Sequence, residues 1–337
     1  MNLHKFIRFL LQRLALGLSV LWGIVTLLYA IFYVLENPVS YMVGDQADEK
    51  TKQAIIQKYG LDKPVYEQYF SYINQVSPIG LSDKGTWGLK SISLGESYQY
   101  KKPVLEMISD HIGGTAILAL SALFFAAIIG IPLGIWAAYR PHTWQDNSIL
   151  SFSVLGVSAP SFFVAALLIW FFAVLLRPYT GLDAAGFIFE PKIFAEGNIV
   201  VWKNLFLPAL ALAVRPLAIF IQLTRAAMLE VLAADYIRTA RAKGLSAFSI
   251  LFRHSLRNAL NPVITSVTGW LASLLAGTFF VEYMFYWKGI GKLTIDALNQ
   301  HDFPVILGAS LWVALIFVVL SLLTDLLYAV LDPRIEQ

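Results

Sequence analysis

Residues 113–138 read GGTAILALSALFFAAIIGIPLGIWAA, a stretch without a single acidic or basic side chain. A run of about 18 or more apolar residues with few charges is typical of a helix that crosses a lipid bilayer. This stretch therefore predicts a transmembrane helix.

The same criterion selects six stretches in the whole chain. They are Leu14–Leu35, Gly113–Ala138, Leu150–Leu176, Leu205–Ile221, Pro262–Val281 and Val305–Val330. The predicted fold class is all-α, a polytopic membrane protein with six transmembrane helices. The third stretch contains Pro160, so we expect it to be kinked or to begin as a separate half-helix. The fourth is short and carries Arg215.

The composition agrees with a protein surrounded by lipid. Of 337 residues, 58% are hydrophobic and 14% are charged, and the mean hydropathy is +0.65; a soluble domain is nearer about half apolar and a quarter charged. The basic residues lie in short loops rather than on one face, so the net charge of +3 indicates no nucleic-acid partner. The absence of cysteine excludes disulfides, thiol chemistry and cysteine-ligated metal.

The distribution of Lys and Arg predicts which side of the membrane each loop faces. With the N-terminus in the cytosol, the inside segments hold more basic residues than the two short outside loops, so both termini are predicted to be cytosolic. The first apolar stretch is too long for a signal peptide and is predicted to stay uncleaved. Residues 36–112 then form an extracytoplasmic loop subdomain. Within it, Lys50–Tyr59 and Tyr66–Ile73 are predicted helices, and Ser77–Gly88 is expected to be irregular.

The cytosolic connection between the fourth and fifth predicted helices does not have the composition of a loop. It covers residues 225–261, and structureless connectors of that length are unusual. Gly244 stands where a helix can end in the left-handed conformation, and Ser246 can cap a second helix over about Ala247–Arg257. Two interpretations are open: a basic amphipathic helix on anionic lipid headgroups, or a docking surface for a cytosolic partner.

Residues 235–246 read DYIRTARAKGLS and residues 253–260 read RHSLRNAL. Together they resemble the cytosolic signature, a variant of the EAA loop, of ABC-importer permeases of the dipeptide/oligopeptide/nickel transport family, with the signature glycine at Gly244. The resemblance is to the first, B-type membrane subunit and covers nearly the whole chain. The other segments that carry it are Leu61–Tyr69, Leu94–Ser97, Pro103–Leu105, Gly130–Gly134, Val281-Glu282, Gly289–Gly291, Asp302–Pro304, Asp325–Tyr328 and Asp332–Arg334.

The resemblance implies that the chain forms half of a translocation pore for di- or oligopeptides in a bacterial plasma membrane. It implies a second six-helix permease subunit, two cytosolic P-loop ATPase subunits, an extracytoplasmic substrate-binding protein and contact with membrane lipid. The chain has no G-x-x-x-x-G-K-[ST] motif. We therefore expect that the chain is not itself an enzyme and holds no cofactor, and that ATP and magnesium bind to the partner subunits. The chain is therefore expected to have three parts. Residues 1–35 are the N-terminus and first helix, and residues 36–112 are the extracytoplasmic loop subdomain. Residues 113–337 are the permease core, which includes the cytosolic coupling loop 225–261.

The same resemblance implies that the loop of residues 235–257 couples the chain to the ATPases. Its basic side chains are expected to meet acidic residues of the ATPase or the membrane surface. Its alanines are expected to allow close approach, and its apolar side chains to fill a groove of the partner. The predicted coupling residues are Arg238, Thr239, Ala240, Arg241, Lys243, Gly244, Leu245, Ser246, Phe248, Leu251 and Phe252.

Four residues are candidates for the pore or a substrate contact: Arg215, Gly277, Thr278 and Glu282. A charge within a membrane span is a functional hypothesis by default. Arg215 can meet a peptide carboxylate, or it can pair with Asp325 or extend to the membrane surface. Glu282 can bind a peptide amine or a lysine of the binding protein, although a solvated helix end is the simpler expectation. Gly277 and Thr278 can let two helices cross closely. The histidines show no metal-ligand spacing, so no metal site is expected.

Other classes of function fit less well. A secondary transporter without an ATPase partner usually has repeated halves and several charges at mid-span, whereas this chain shows no repeat and one deep arginine. An intramembrane enzyme needs a nucleophile and base or a metal constellation, and a structural anchor does not need the 225–261 connection. The sequence leaves the cargo open, including nickel and glutathione-like or antimicrobial peptides, and does not say whether the two permeases are identical.

Overall fold

The computed structural model describes residues 3–35, 49–81, 85–191 and 198–331. These residues are mostly helical, with two short antiparallel hairpins, in agreement with the predicted class. The predicted motif Asp332–Arg334 and residues 36–48 of the predicted outer subdomain lie outside the described residues.

The elements up to the second hairpin are, in chain order, α1 (Leu3–Tyr29), α2 (Glu49–Tyr59), α3 (Val65–Val76), β1 (Ile79–Leu81), β2 (Trp87–Leu89), α4 (Val104–Tyr139), α5 (Trp144–Ser158), α6 (Ser161–Leu168), α7 (Arg177–Thr180), β3 (Phe189–Pro191) and β4 (Asn198–Val200). Two π-helical stretches, Ala30–Leu35 and Ile169–Leu175, continue α1 and α6. The remaining elements are α8 (Lys203–Leu232), α9 (Asp235–Ala242), a π-helix (Ser249–Ser255), α10 (Leu256–Ala259), α11 (Asn261–Gly277), α12 (Phe279–Met284), α13 (Ile290–Asn299) and α14 (Phe303–Leu331).

Four helices of the described chain are long and apolar enough to cross a membrane. The qualifying stretches are Leu11–Tyr33, Val104–Tyr139, Lys203–Leu232 and Phe303–Leu326. A fifth is added if α5 and α6, which are bent by 110° at a short break, form one broken span. The described count is therefore four or five, and the six-helix topology remains a prediction.

The break in the third predicted span lies at Pro160, as the sequence predicted. The α5 helix ends at Ser158, and Ala159 is extended, with φ −73° and ψ 129°. A proline disfavours the helical conformation in the residue before it and cannot donate a backbone hydrogen bond. The next helix therefore starts at Ser161 in a new direction.

The fifth predicted span is divided rather than continuous. Its main helix, α11, has 17 residues, at the short end of the range of about 17–25 residues that crosses a bilayer. Thr278 separates it from the short helix α12. Gly277 and Thr278 therefore lie at a helix junction.

Hydropathy located the apolar parts of the chain but not the ends of the helices. The α4 helix starts at Val104, well before the predicted Gly113. Hydropathy missed its first turns because they contain the charged residues Glu106 and Asp110. The two helices predicted in the outer subdomain are present as α2 and α3.

The segment Ser77–Gly88 was predicted to be irregular, and that prediction is wrong for its described part. It contains β1 and most of β2, which pair with Ile79 opposite Leu89 and Leu81 opposite Trp87. Large aliphatic and aromatic side chains favour extended strands, and here they outweigh the glycines between them.

The chain divides into two compact units. The first comprises Met1–Gly113 with Lys292–Val318, and the second comprises Gly114–Gly291 with Val319–Gln337. In the first unit Tyr29 stacks on Tyr33 with ring centroids 4.8 Å apart and meets the edge of Tyr69 at 5.4 Å.

In the second unit α8 is the central helix, and α5, α6 and α11 pack against it. The α4 helix also approaches α8 closely through two glycines. A Cβ at Gly130 would lie 2.9 Å from the Leu217 carbonyl oxygen, and one at Gly134 would lie 2.7 Å from that of Ile221. Small residues spaced four apart let membrane helices approach in this way.

Candidate functional site

The docking segment, residues 235–257, is a helix, a tight turn and a second helix. Gly244 adopts a left-handed conformation with φ +75°. The Leu245 N–H donates to the Ala240 carbonyl at 3.3 Å, and the Gly244 N–H donates to the Arg241 carbonyl at 2.9 Å. These are the two hydrogen bonds of a Schellman motif. The predicted glycine stop after the first helix is confirmed.

Ser246 caps the second helix, as predicted, since its hydroxyl accepts a hydrogen bond from the Ser249 N–H at 3.3 Å. The winding of that helix differs from the prediction. Ser249–Ser255 is π-helical, and the Leu256 N–H donates to the Leu251 carbonyl five residues earlier. Short π-helical stretches are rare and occur frequently at functional sites.

One side of the docking segment packs against the second unit itself. Ile237 is fully buried and forms a small cluster with Ala240 and Ile250. Leu251 is partly buried and packs against a second cluster that contains Met228 and Ala259. Ala240 and Leu251 were predicted to face a partner, but both point inward, because an amphipathic segment lying on a protein buries its apolar side.

The other side is exposed and combines aromatic rings with positive charge. Phe248 is 72% exposed and Phe252 is 45% exposed, with their ring centroids 4.6 Å apart. The other exposed residues among those predicted for coupling are Arg238, Thr239, Arg241, Lys243, Leu245 and Ser246. Arg238 forms an ion pair with Asp235 at 3.2 Å, but both side chains are largely in solvent and the pair stabilises little.

Two features of the segment were not predicted. The Tyr236 hydroxyl accepts a hydrogen bond from the Asn258 side-chain amide at 2.9 Å, which ties the two helices together. A cavity of about 530 Å³ lies between the docking segment and the ends of α4 and α8. It is lined mainly by apolar residues, among them Ala138, Leu232 and Leu251. A pocket formed by three separate elements leaves no local signal in the sequence.

A buried ion pair lies close to the docking segment in the chain. Arg225 of α8 binds both carboxylate oxygens of Asp146, at 2.6 and 2.7 Å. Asp146 is 1% exposed and also accepts a hydrogen bond from the His142 N–H at 2.8 Å. Thr143 caps α5 in front of Asp146, and a Thr followed three residues later by an acid is a recognisable helix start. The partner Arg225 is distant in sequence, so the pair itself was missed.

Glu282 is fully buried, so the expectation of a solvated helix end is wrong. Its carboxylate accepts hydrogen bonds from the hydroxyls of Thr115 at 2.7 Å and Thr278 at 2.6 Å. A Cβ at Gly289 would collide with this carboxylate. A buried charge is tolerated only with such partners. Glu282 is therefore held among hydroxyl groups of its own chain, and a contact with substrate stays a prediction.

Arg215 is exposed on α8 and lines a cavity beside the break at Pro160. Within the described residues Arg215 forms no ion pair, and so the predicted alternative, pairing with Asp325, is not observed. Gly277 ends α11.

Comparison with known families identifies the chain. Residues 130–337 match the family model described as "Binding-protein-dependent transport system inner membrane component". The chain belongs to this family. Residues 6–119 match its N-terminal companion, "Binding-prot-dependent transport system membrane comp, N-term".

This inner membrane component also has curated relatives over nearly its full length. It is 36% identical to the "Dipeptide transport system permease protein DppB" of Escherichia coli strain K12, covering 98% of this chain and 99% of the relative. It is 35% identical to the protein of the same name from Alkalihalophilus pseudofirmus, covering 97% and 98%. It is 34% identical to the "Di/tripeptide transport system permease protein DppB" of Pseudomonas aeruginosa, covering 98% of both chains.

Among solved structures, a chain of the MetNI methionine ABC transporter in an inward-facing conformation has the same fold. The TM-score is 0.50 with 15% sequence identity, and the match covers 68% of this chain and 97% of that chain. At this identity the likeness concerns the fold alone.

Two motifs of this inner membrane component that are distant in sequence meet within the first unit. The Asp302 carboxylate is fully buried and accepts a hydrogen bond from the Ser97 hydroxyl at 2.5 Å. It also accepts hydrogen bonds from the N–H groups of Tyr98 at 2.9 Å and Gln99 at 3.4 Å. The motifs Leu94–Ser97 and Asp302–Pro304 therefore form one structural site that fastens the segment around Ser97 to the start of α14.

Proposed function

We propose that this chain is the permease subunit of an ATP-driven importer of di- or oligopeptides and forms half of its translocation pore. Support comes from family membership and from relatives whose names specify dipeptide or di/tripeptide transport. The proposal includes six membrane spans with both termini in the cytosol of a bacterial cell. The partners are a second permease, two P-loop ATPases and an extracytoplasmic binding protein. The chain needs no cofactor, since ATP and magnesium bind to the ATPases.

The docking segment is the observation that carries the proposal. Its exposed side presents two adjacent phenylalanine rings, which are apolar surface of the kind that anchors protein interfaces. The segment also exposes Arg238, Arg241 and Lys243, which suit an acidic partner surface. Its other side is packed on the second unit, so the segment is held in place before any partner binds.

Leu251 supports this surface from behind and does not itself fill a partner's groove. The neighbouring cavity of about 530 Å³ provides space into which a side chain of the ATPase can enter. We therefore assign the contact on the exposed surface to Phe248, Phe252 and the cations, while Leu251 is reached only through the cavity that it lines.

Movement of the docking segment is passed to the neighbouring helices because the connections between them are short. The α8 helix ends at Leu232 and α9 begins at Asp235, while α10 ends at Ala259 and α11 begins at Asn261. Such short connections cannot absorb a displacement of the docking segment. When ATP draws the two ATPases together, the segment moves with them and tilts α8 and α11, which shifts the pore between two states.

The proposal is tested by purifying the chain in mild detergent from its native membrane and identifying the proteins that co-elute. We expect a second permease and P-loop ATPases, with ATP hydrolysis in the purified complex. The matched variants are Phe248→Ala and, as a control, Tyr179→Ala, which removes an exposed ring 87% open to solvent outside the docking segment. A chain that elutes without any ATPase would contradict the proposal and favour a secondary transporter.

A further inference from the structure

A cavity of about 220 Å³ lies inside the second unit, beside the break between α5 and α6. Four helices line it: α5 with Gly156, α6 with Ser161, α8 with Arg215 and α11 with Trp270 and Ser273. The 110° bend at the break directs α5 and α6 apart and leaves this space against α8.

The polar side chains in the cavity are all hydrogen-bond donors. They are those of Arg215, Trp270, Ser161 and Ser273, and the other lining residues are glycine, alanine, valine and leucine. A guanidinium and an indole N–H can only donate, and a hydroxyl can donate. Over the described part of the chain, none of the four side chains has a hydrogen-bond partner. The cavity therefore offers one positive charge and several donors, with no carboxylate to neutralise them.

Arg215 lies well inside its helix, about 18 Å along the axis from Lys203 at a rise of about 1.5 Å per residue. A charge at such a position in a membrane span is costly unless it is paired or faces water. The buried acid Asp146 is bound by Arg225 of the same helix and does not line the cavity. The described residues of the cavity therefore leave the charge of Arg215 without a counter-ion, and the cavity can accept an anion from outside the chain.

We propose that this cavity binds the terminal carboxylate of a short peptide on its way through the transporter. The inference rests on the proposed function and adds to it the chemical group that the permease recognises. A guanidinium can bind both oxygens of a carboxylate, and the hydroxyls and the indole supply further donors around them. A cavity of this size admits one end of a peptide rather than the whole molecule.

The test uses the complete transporter with its binding protein, reconstituted in vesicles. Uptake of dialanine and of dialanine amide is measured, and the quantity compared is their ratio. The binding protein is the same in every sample, so a change in the ratio arises in the permease. We expect Arg215→Gln to reduce the preference for the free acid by about tenfold, because a hydrogen-bonded ion pair is lost. Arg215→Lys should keep part of it, and Ser273→Ala should reduce it less.

Arg177→Gln is the matched control, since it removes an exposed arginine of α7 that does not line the cavity and should leave the ratio unchanged. An unchanged ratio in Arg215→Gln would overturn the inference. A second outcome would also overturn it. If Arg215→Gln lowers the uptake of both probes equally, and only in vesicles that contain phosphatidylglycerol rather than pure phosphatidylcholine, the bound anion is a lipid phosphate.

If Arg215→Gln does not insert into the membrane, the uptake ratios of Arg215→Lys and Ser273→Ala are measured instead. Ratios equal to that of the wild type in both variants would overturn the inference. ATP hydrolysis stimulated by the binding protein is measured in parallel. A wild-type complex that hydrolyses no ATP marks failure of the proposed function. Normal hydrolysis with an unaltered ratio in the variants marks failure of this inference alone.

Discussion

At the scale of single residues, the conformation of Gly244 determines where the docking segment turns. Its φ of +75° is strained for any residue with a Cβ, by about 1–2 kcal/mol. No atom lies within 4 Å of a Cβ placed there, so a substitution acts on the backbone and on the approaching partner. We expect Gly244→Leu to leave the protein inserted but to abolish transport and stimulated ATP hydrolysis. Gly244→Asn, which tolerates this conformation better, should keep part of the activity. Normal transport by Gly244→Leu would refute the docking role.

We expect Phe248 to contribute to binding of the ATPase rather than to the stability of the chain. Because most of its ring is exposed, Phe248→Ala should change the free energy of unfolding by less than about 0.5 kcal/mol. Loss of an interface anchor should weaken binding of the ATPase by about 2 kcal/mol, or roughly 30-fold. Titration of the purified permease pair with the ATPase measures the second effect, and thermal unfolding in detergent measures the first. Equal affinity of Phe248→Ala and Tyr179→Ala would show that the aromatic pair is not the contact.

At the scale of elements, the pair Asp146–Arg225 fastens α5 to α8. Arg225→Ala leaves a carboxylate that is 1% exposed without its counter-charge, which should cost about 3–5 kcal/mol of stability. Arg238→Ala removes an exposed arginine from a solvated pair and should cost less than about 1 kcal/mol. The melting temperatures of the two variants in the same detergent make the comparison. Similar temperatures would mean that the buried pair contributes no more than a surface pair.

Within the first unit, the segment around Ser97 is held by the buried carboxylate of Asp302. Asp302→Ala leaves the Ser97 hydroxyl and the Tyr98 N–H without their acceptor, at about 1–3 kcal/mol for each buried group. We expect faster proteolysis of the loop that contains Ser97. The Lys292–Asp296 pair on α13 is partly solvated, so Asp296→Ala serves as the control and should be cleaved at the wild-type rate.

The sequence predicted the elements where one local signal decides the structure. Pro160 interrupts a helix, Gly244 ends one and Ser246 caps one, each by a preference of its own backbone or side chain. It did not predict which way Leu251 and Ala240 face, or that Glu282 is buried. Those outcomes depend on residues far along the chain, such as Thr115 beside Glu282. Distant pairings of this kind have no signature in a single sequence.

At the scale of the whole molecule, the proposed topology places the docking segment and residue Tyr179 on opposite sides of the membrane. The chain contains no cysteine, so a single introduced thiol is unique. A membrane-impermeant maleimide added to intact spheroplasts should label Tyr179→Cys and not Phe248→Cys, and in inside-out vesicles the pattern should reverse. Labelling of both from one side would exclude the six-helix arrangement with cytosolic termini.

The same cysteine-free chain permits the most direct measurement of the central claim, which is cross-linking between Phe248→Cys and the ATPase in native membranes. We predict that a short bifunctional thiol reagent joins this position to a P-loop ATPase, that ATP changes the yield, and that Tyr179→Cys gives no such product. If Phe248→Cys yields no ATPase adduct while the complex transports peptide, the docking segment does not contact the ATPase and the account given for coupling is wrong.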